Sequence, residues 1–330
     1  MGASIKAISC YLPEKILDND ELSKIFPEYS SEIIFKRSGI LERHVAAPNE
    51  IPFDLAIKTA EKFFSEHNIA RKDIDFLIFC SLIRERQAPT TACLLQNKLG
   101  LSTNIGAIDV PMGCSGYIYS LALAKSLIYG GIAKNILILA GDTTTKFLHP
   151  EDHTLRFLIG DGMTATSVQY TSEENINSFV LGNDGAGAES LIIKGSNPRE
   201  TITPEKDIET TAMPYGKLIM DNADVLSFAL KVVPQMVNEL LQKEHLAMKD
   251  IDLFIFHQAS RLVLETLCKK MNIAEEKFFV NIQHLGNTSS ATIPIAIADA
   301  ITAERAKKGD KIVIAGFGIG LSWGSTIITL

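Results

Sequence analysis

The sequence predicts an α/β fold built from two similar halves. The first observation is a repeat: "RKDIDFLIFCS" at residues 71–81 returns as "MKDIDLFIFHQAS" at residues 248–260. The second is a later match in the same order. In each half a glycine, Gly113 or Gly286, precedes a long apolar helix pattern. A strand that ends in Ala-Gly then follows. Both matches are offset by about half the chain, far beyond solenoid periods, so the repeat indicates a duplicated domain.

Each repeated segment has the sequence pattern of a helix or of a strand. Helical patterns occupy roughly Leu55 to Glu66 and Leu226 to His245, each before a repeated strand. The strands are short, continuous apolar runs, "FLIFC", "ILILA", "LFIF" and "IVIA". Such runs are typical of parallel or mixed sheets that helices cover on both faces.

The repeat also predicts where the chain divides. We expect one α/β half over residues 1–175 and a second over residues 176–330, packed against each other. The polar region from Thr171 to Glu209 is the expected linker, because Pro198 and Pro204 interrupt any regular pattern there.

Composition and charge narrow the class of protein. The 330 residues are 46% hydrophobic, enough for a large core, and the net charge of −7 gives no support to binding of nucleic acid or an anionic membrane. No run of about 18 apolar residues predicts a membrane span, and the N-terminus lacks a signal-peptide pattern. The five cysteines form no C-x-x-C pair, which favours a reducing cytoplasm without a disulfide framework or a zinc site.

One cysteine lies at a joint between a strand and a buried helix. In "DVPMGCSGYIYSLALAKSLIYGG", Gly113 and Gly116 flank Cys114 and permit a sharp turn and close approach of a substrate. Backbone N–H groups at the helix N-terminus favour the thiolate by roughly 0.3–2 kcal/mol, which suits a nucleophile. The joint alone leaves open that Cys114 is a small buried hydrophobe. The other four, Cys10, Cys80, Cys93 and Cys268, are interpreted as core residues.

The duplication predicts that two more residues reach this joint. Asn287 holds the place in the second half that Cys114 holds in the first, and His257 ends the strand equivalent to the one that ends near Cys80. A structural histidine and a helix-capping asparagine are the simpler alternatives. The glycine-rich "GFGIGLSWGS" is not a G-x-G-x-x-G that leads into a helix, so a dinucleotide site is not expected.

Together, "CSGY", "HQAS", "GNTSSATIP" and "GFGIGLSWGS" resemble the β-ketoacyl-acyl-carrier-protein synthase III family of the thiolase superfamily. "YLPEKILDNDEL" and "KRSGILERHVA" extend the resemblance over nearly the whole chain. It implies the duplicated, thiolase-like αβαβα five-layer fold, and usually a homodimer. It also implies an acyltransferase that starts fatty acid biosynthesis by condensing acyl-CoA or an acyl carrier protein thioester with malonyl-acyl carrier protein. Coenzyme A or phosphopantetheine thioesters are then substrates, and no metal or other cofactor is expected.

The resemblance implies a role for each matched residue. Cys114 takes the acyl group as a nucleophile, while His257 and Asn287 assist decarboxylation of the malonyl thioester and stabilise the enolate. The backbone N–H groups of Cys114 and Ile319 form the oxyanion hole.

The substrate-binding positions depart from the family pattern. The family often has a Trp that stacks on the adenine of coenzyme A where this chain has Ile33, and His153 replaces an adenine-side arginine. Ala88 replaces a large aromatic residue at the primer pocket of the partner subunit. The remaining implied contacts are Arg37 near the phosphates, Ser38 in place of a Thr, Ser260 beside the pantetheine, and Lys269 and Lys270 for docking the carrier protein.

Other functions stay open at this point. A divergent ketosynthase or acyltransferase of secondary metabolism fits the changes at Ile33, His153 and Ala88. A non-catalytic subunit of a heterodimer would be expected to lose one of the three catalytic residues, and all three are present. A biosynthetic thiolase ordinarily has a second cysteine near the glycine-rich segment, where "GFGIGLSWGS" has none.

Overall fold

A computed structural model describes residues 2–194 and 216–330. In the first half, the strands are β1 (Gly2–Tyr11), β2 (Lys15–Asp18), β3 (Glu42–Val45), β4 (Phe76–Cys80), β5 (Gly106–Val110), β6 (Asn135–Asp142) and β7 (Gly162–Thr171). Its helices are α1 (Asn19–Ile25), α2 (Ser31–Ser38), α3 (Pro52–Glu66), α4 (Thr91–Lys98), α5 (Gly116–Tyr129) and α6 (His153–Leu158).

The second half contains β8 (Ile176–Asn183), β9 (Leu191–Lys194), β10 (Lys217–Met220), β11 (Leu253–Phe256), β12 (Lys311–Gly318) and β13 (Ser322–Thr329). Its described helices are α7 (Asn222–Lys243), α8 (Arg261–Lys270) and α9 (Thr292–Thr302).

Two main sheets repeat one topology. The first has the order β1-β7-β6-β4-β5, and the second has the order β11-β12-β13-β8. β4 pairs in parallel with β6, with Cys80 opposite Ala140, and β11 pairs in parallel with β12, with Phe256 opposite Ala315. β7 and β1 continue the first sheet antiparallel, as β13 and β8 continue the second. The duplicated α/β fold is therefore confirmed.

Three apolar clusters hold five layers together. α5 and α9 form the central layer, between the facing sides of the two sheets. α3 and α4 cover the outer face of the first sheet, and α7 and α8 cover that of the second. Along β4, Ile78 and Cys80 face the central helices, while Leu77 and Phe79 face the outer ones. Because side chains alternate along a strand, a continuous apolar run is what a strand buried on both faces requires.

The predicted linker from Thr171 to Glu209 is partly wrong. β8 lies within it and pairs antiparallel with β13, and β9 pairs with β10. β8 is an edge strand with several half-exposed or exposed side chains, so its sequence lacks the apolar run that marks the central strands. Pro198 and Pro204 lie outside the described residues. The division into 1–175 and 176–330, which falls in the turn between β7 and β8, stays a prediction.

None of the helices in the described ranges has the length and apolarity needed to cross a bilayer.

Candidate active site

Cys114 lies in the short connection between β5 and the first turn of α5. Glycines make this position possible, because a Cβ on Gly116 would overlap the sulfur of Cys80, and one on Gly318 would lie 2.8 Å from the sulfur of Cys114. The hydroxyls of Ser115 and Ser322 are 2.7 Å apart, and that of Ser322 donates to the carbonyl of Ile319 at 2.6 Å. These bonds tie the segment after β12 to the start of α5.

Cys114, His257 and Asn287 line one cavity of ≈ 280 Å³. It opens where α5, the end of β11 and the segment before α9 meet, so both halves contribute to it. The structure thus brings together the three side chains that the duplication predicted to converge. The rest of its wall is mainly apolar and includes Leu158, Ile159, Leu191, Met220, Val225 and Leu226.

His257 directly follows β11 and is buried. Its N–H donates to the carbonyl of Ala315 at 2.8 Å, which extends the pairing of β11 with β12. The ring meets Phe317 edge to face, with centroids 5.6 Å apart. Burial lowers the pKa of His257 to about 3, so the imidazole is neutral at physiological pH.

The Nδ1 atom of His257 lies 2.7 Å from the hydroxyl oxygen of Thr292, which is also 3.0 Å from the carbonyl of Ser289. The hydroxyl has one proton. If it goes to Ser289, Nδ1 carries a proton and Nε2 is an acceptor. If it goes to Nδ1, Nε2 carries the proton and becomes a donor. Both tautomers of neutral His257 are therefore available.

Hydrogen bonds fix the amide of Asn287. The N–H of Ser289 donates to Oδ1 at 3.0 Å, and Nδ2 donates to the carbonyl of Ala259 at 3.3 Å. Because Oδ1 already accepts from a backbone N–H, the orientation of the amide is determined by its partners. The second Nδ2 proton remains for a ligand in the cavity that Asn287 lines.

The thiol of Cys114 is less acidic than a helix N-terminus alone predicts. Burial raises its pKa to about 11, and this outweighs the opposing influence of the N–H groups of Ile319 and Cys114 and of the hydroxyl of Ser289. The expectation that the thiolate is favoured is therefore wrong for the free protein, because desolvation outweighs the donors. The assignment of the N–H groups of Cys114 and Ile319 to an oxyanion hole stays a prediction.

The interpretation of the other four cysteines as core residues is wrong for Cys93. Its side chain is exposed on α4, and Cys10 is half-buried, whereas Cys80 and Cys268 are buried. α4 is a short helix that buries only one stripe of side chains, including Ala92 and Leu95, and Cys93 lies off this stripe and faces solvent.

Sequence reasoning missed a buried carboxyl beside the site. Asp142 ends β6 and accepts from the hydroxyl of Ser81 at 2.6 Å, the N–H of Leu82 at 2.8 Å and the hydroxyl of Ser289 at 3.1 Å. Burial raises the pKa of Asp142 to about 7. The available signal was an acidic residue directly after the apolar run "ILILAG", at the level of the cysteine joint.

Comparisons with known proteins place this geometry in a family. A family model described as 3-oxoacyl-[acyl-carrier-protein (ACP)] synthase III matches residues 108–185, and the model of the C-terminal part of that enzyme matches residues 241–330. A beta-ketoacyl-[acyl-carrier-protein] synthase III of Clostridium perfringens is 36% identical, with 100% of this chain and 99% of the relative covered. The chain belongs to the β-ketoacyl-acyl-carrier-protein synthase III family.

Solved structures agree with this membership. A crystal structure of a 3-oxoacyl-(acyl-carrier-protein) synthase III has a TM-score of 0.95 and 39% identity, with 100% of both chains covered. A 3-oxoacyl-(acyl-carrier protein) synthase of Burkholderia xenovorans has a TM-score of 0.91 and 32% identity, with 100% of this chain and 94% of the other covered. The five-layer, thiolase-like fold is therefore confirmed, and the chain is an acyltransferase of the condensing type that initiates fatty acid synthesis.

In this synthase, two predicted coenzyme A contacts are engaged with a neighbouring ring. Tyr29 stacks on His153, with centroids 4.8 Å apart, and its hydroxyl lies 3.2 Å from Nε2 of His153. The guanidinium of Arg37 lies 4.7 Å from the centre of the Tyr29 ring. Ile33 is 42% exposed on α2 and provides no aromatic surface.

The substrate role that the resemblance implied for Ser38 is not supported. Its hydroxyl is buried and donates to the carbonyl of Ile34 at 2.8 Å. The same oxygen accepts from the N–H of Ile40 at 3.0 Å. Ser38 therefore shapes the end of α2, and its hydroxyl is not available to a ligand.

The other predicted contacts are spread around the cavity. Ser260 lines it and caps α8 by accepting from the N–H of Val263 at 3.3 Å. Lys269 and Lys270 are exposed in the last turn of α8, at the end away from the cavity. Ala88 is exposed on the loop before α4 and does not line the cavity of its own chain. Within residues 2–194 and 216–330, no cluster of His, Cys, Asp or Glu forms a potential metal site.

Proposed function

We propose that this chain condenses an acyl thioester with malonyl-acyl carrier protein through an acyl-Cys114 intermediate. The observation that carries the proposal is the convergence of Cys114, His257 and Asn287 on one cavity, in a chain of this family. A thiol and two amide-type or imidazole N–H donors suit acyl transfer and stabilisation of an enolate oxygen. The apolar wall suits an acyl chain.

In the first half-reaction, the sulfur of Cys114 attacks the carbonyl carbon of the donor thioester. The carbonyl oxygen gains negative charge and accepts from the N–H groups of Cys114 and Ile319. When the C–S bond to the donor breaks, the donor leaves as a thiol and the acyl group stays on Cys114. Such preorganised donors act on charge that develops in the transition state.

In the second half-reaction, the malonyl thioester loses its carboxylate as CO₂. The electron pair of the broken C–C bond forms an enolate, whose oxygen accepts from Nε2–H of His257 and from Nδ2–H of Asn287. The enolate carbon then attacks the acyl-Cys114 carbonyl, and Cys114 leaves as a thiolate. This step needs the His257 tautomer in which Thr292 donates to Nδ1.

Of the predicted substrate contacts, those to the adenine of coenzyme A are the weakest. Ile33 cannot stack on a base, and the His153 ring already stacks on Tyr29. Aromatic stacking on a base is worth about 1–3 kcal/mol, so its loss weakens coenzyme A binding by roughly tenfold or more. We therefore propose that the acyl donor arrives on a carrier protein and is longer or bulkier than acetyl, with Lys269 and Lys270 as carrier contacts.

These same changes favour the second candidate, a ketosynthase of secondary metabolism. The two functions share the proposed chemistry and differ in the acyl group and its carrier. Rates of Cys114 acylation by acetyl-CoA, medium-chain acyl-CoAs and the same groups on carrier protein separate them. If acetyl-CoA reacts fastest, Ile33 and His153 do not determine the donor, and ordinary initiation of fatty acid synthesis remains.

We also propose a homodimer in the cytoplasm, formed through the free edge of β5. β5 is the last strand of the first sheet, and Ile108 on it is 42% exposed. An unpaired edge strand is a template for pairing with another chain. In this arrangement the exposed Ala88 loop, which precedes α4, reaches the pocket of the partner.

The experiment that tests the proposed function is mass spectrometry of the intact protein after incubation with acyl donors. The expected result is one acyl adduct, mapped to the peptide that contains Cys114 and absent from Cys114→Ala. An adduct on Cys80 or Cys93 would contradict the proposal, as would the absence of any adduct with every donor in the panel.

A further inference from the structure

Arg43 is a buried cation that the condensation steps above do not use. It lies on β3, and its side chain is fully shielded from solvent. Its Nη1 atom donates to the carbonyl of Leu17 at 3.0 Å and to Oδ1 of Asn19 at 2.9 Å. Its Nη2 atom donates to the carbonyl of Phe157 at 2.9 Å. Burial of a cation whose hydrogen bonds reach only neutral oxygens, as they do within the described residues, is unfavourable, so Arg43 is a candidate for a specific role.

The carbonyl of Phe157 lies in the last turn of α6, where the helix supplies no further donor. The N–H four residues later, that of Asp161, donates instead to the carbonyl of His44 at 2.9 Å. The guanidinium of Arg43 therefore takes the place of a helical N–H at Phe157. As a result, β3 is bonded to the end of α6 at two adjacent residues, through the side chain of Arg43 and the backbone of His44.

The residues that follow Phe157 hold the backbone of Asn287. The N–H of Asn287 donates to the carbonyl of Leu158 at 2.8 Å, and the N–H of Gly160 donates to the carbonyl of Asn287 at 3.0 Å. These two bonds form a short parallel bridge between the two segments. Both backbone hydrogen bonds of Asn287 therefore depend on where the segment after α6 lies.

Two glycines allow β3 to approach this bridge closely. A Cβ on Gly286 would lie 3.2 Å from the Cβ of Arg43 and 2.8 Å from the carbonyl oxygen of Leu158. A Cβ on Gly160 would lie 3.3 Å from the same Cβ of Arg43. Gly286 directly precedes Asn287 and has a φ of 67°, in the left-handed region that favours glycine. The backbone of β3 therefore packs directly on both segments that the bridge joins.

We propose that Arg43 is a positioning residue that holds Asn287 in place for decarboxylation. The inference rests on the proposed role of Asn287 as a donor to the enolate oxygen. The guanidinium fixes the end of α6 against β3, and the bridge passes this position on to the backbone of Asn287. The bonds of the Asn287 amide to Ser289 and Ala259 then direct its remaining N–H. Misplacement of such a group by about 1 Å costs about 10²-fold in rate.

A guanidinium suits this position because it is planar and donates in several directions at once. Arg43 reaches acceptors in two segments, Leu17 and Asn19 on one side and Phe157 on the other. Asn19 is itself held in place, because its Nδ2 atom donates to the carbonyl of Ile40 at 2.8 Å. The ammonium of a lysine is a single point of charge on a flexible chain, so it cannot bond to both sides with this geometry.

Arg43→Lys tests this role because it keeps the charge and the Cβ contact but removes the paired donors. CO₂ release from malonyl thioester and acylation of Cys114 are measured on one preparation, well below the melting temperature of each protein. CO₂ release should fall by about 10²-fold, whereas acylation, which does not use Asn287, should fall by no more than about threefold. Arg43→Met removes every donor but also the buried charge, and it should show the same difference between the two rates.

The matched control is Arg71→Lys. The Nε atom of Arg71 donates to the carbonyl of Leu99 at 3.0 Å, directly after α4, so this arginine also holds a helix-end carbonyl but lies outside the cavity. Both rates should match wild type in the control. An equal loss of both rates in the Arg43 variants would show that Arg43 only stabilises the fold, and wild-type CO₂ release in both variants would likewise overturn the positioning role.

Hydrogen exchange of the bridge amides separates this inference from the proposed function, because it needs no substrate. The N–H groups of Asn287 and Gly160 should exchange about tenfold faster or more in Arg43→Lys, while the amides of β12, as a reference for global unfolding, should not change. If this exchange rises but the wild type releases no CO₂, Arg43 still holds Asn287 and only the proposed function fails. If the wild type condenses its substrates and the exchange is unchanged, the positioning role is wrong and the proposed function stands.

Discussion

The Nδ1 atom of His257 is hydrogen-bonded to the hydroxyl of Thr292, at 2.7 Å, and Thr292 lies five residues after Asn287. This contact joins the end of β11 to the first residue of α9. Because the hydroxyl has one proton, Nε2 can donate to an enolate oxygen only when Thr292 donates to Nδ1 instead of to the carbonyl of Ser289.

Thr292→Val should slow decarboxylation and spare acylation. Valine has nearly the same shape but cannot donate to Nδ1, so the Nε2–H tautomer loses its partner. We expect CO₂ release from malonyl thioester to fall by about tenfold or more, on the scale of about one hydrogen bond to a catalytic group. The rate of Cys114 acylation should change by less than twofold, which corresponds to less than about 0.4 kcal/mol in the activation free energy. Thr292→Ser keeps the hydroxyl and is the control, so it should release CO₂ at a rate near that of wild type; a Thr292→Val protein with the wild-type rate of CO₂ release would contradict this role of the hydrogen bond.

Cys93 should react with iodoacetamide before Cys114 in the free protein. Cys93 is exposed on α4, whereas the pKa of Cys114 is raised to about 11, so only about one thiol in 10⁴ is ionised there at pH 7. An acyl donor should instead react with Cys114 before Cys93, because its carbonyl is bound beside Cys114. Peptide mapping after short exposure to each reagent checks both, and preferential alkylation of Cys114 at neutral pH would contradict the raised pKa.

Gly318→Ala should block acylation, because the added Cβ would lie 2.8 Å from both Sγ and Cβ of Cys114. The cysteine must shift to relieve this contact, and a misplacement of the attacking sulfur by about 1 Å costs about 10²-fold in rate. Gly185→Ala is the matched control, since a Cβ there meets nothing within 4 Å. A Gly318→Ala protein with wild-type acylation would show that the sulfur has more room than the structure gives it.

Ile108→Lys should convert a dimer to a monomer in sedimentation or light-scattering measurements. A lysine on the free edge of β5 would place a charge in the proposed interface, where its desolvation is unfavourable. The control is Ile132→Lys, at an isoleucine that is 67% exposed in the turn between α5 and β6 and should leave the mass unchanged. A monomeric wild-type protein would contradict the proposed homodimer.

The sequence was sufficient for the fold because its repeat and its buried strands leave strong patterns. Runs such as "FLIFC" indicate strands covered on both faces, and the positions of Cys114 and Asn287 in the two halves predict that they meet. β8 was mistaken for linker because an edge strand buries only part of its surface and reads as polar.

The electrostatics of the site could not be read in the same way. The pKa of the Cys114 thiol depends on whether the helix N-terminus or desolvation has the larger effect. That balance depends on how deeply the sulfur is buried, which the local sequence does not determine. Likewise, Asp142 and Ser289 are 147 positions apart, so no short motif joins them. The stacking of Tyr29 on His153 is also a contact between distant segments.

The most direct test of the proposed mechanism is formation of β-ketoacyl product from an acyl donor and malonyl-acyl carrier protein by Cys114→Ala, with CO₂ release followed in the same reaction. An acyl-Cys114 intermediate predicts no condensation product, because the acyl group has no sulfur to occupy, while CO₂ release continues because His257 and Asn287 remain in the cavity. Condensation product from Cys114→Ala at a rate near that of wild type would contradict the acyl-Cys114 intermediate.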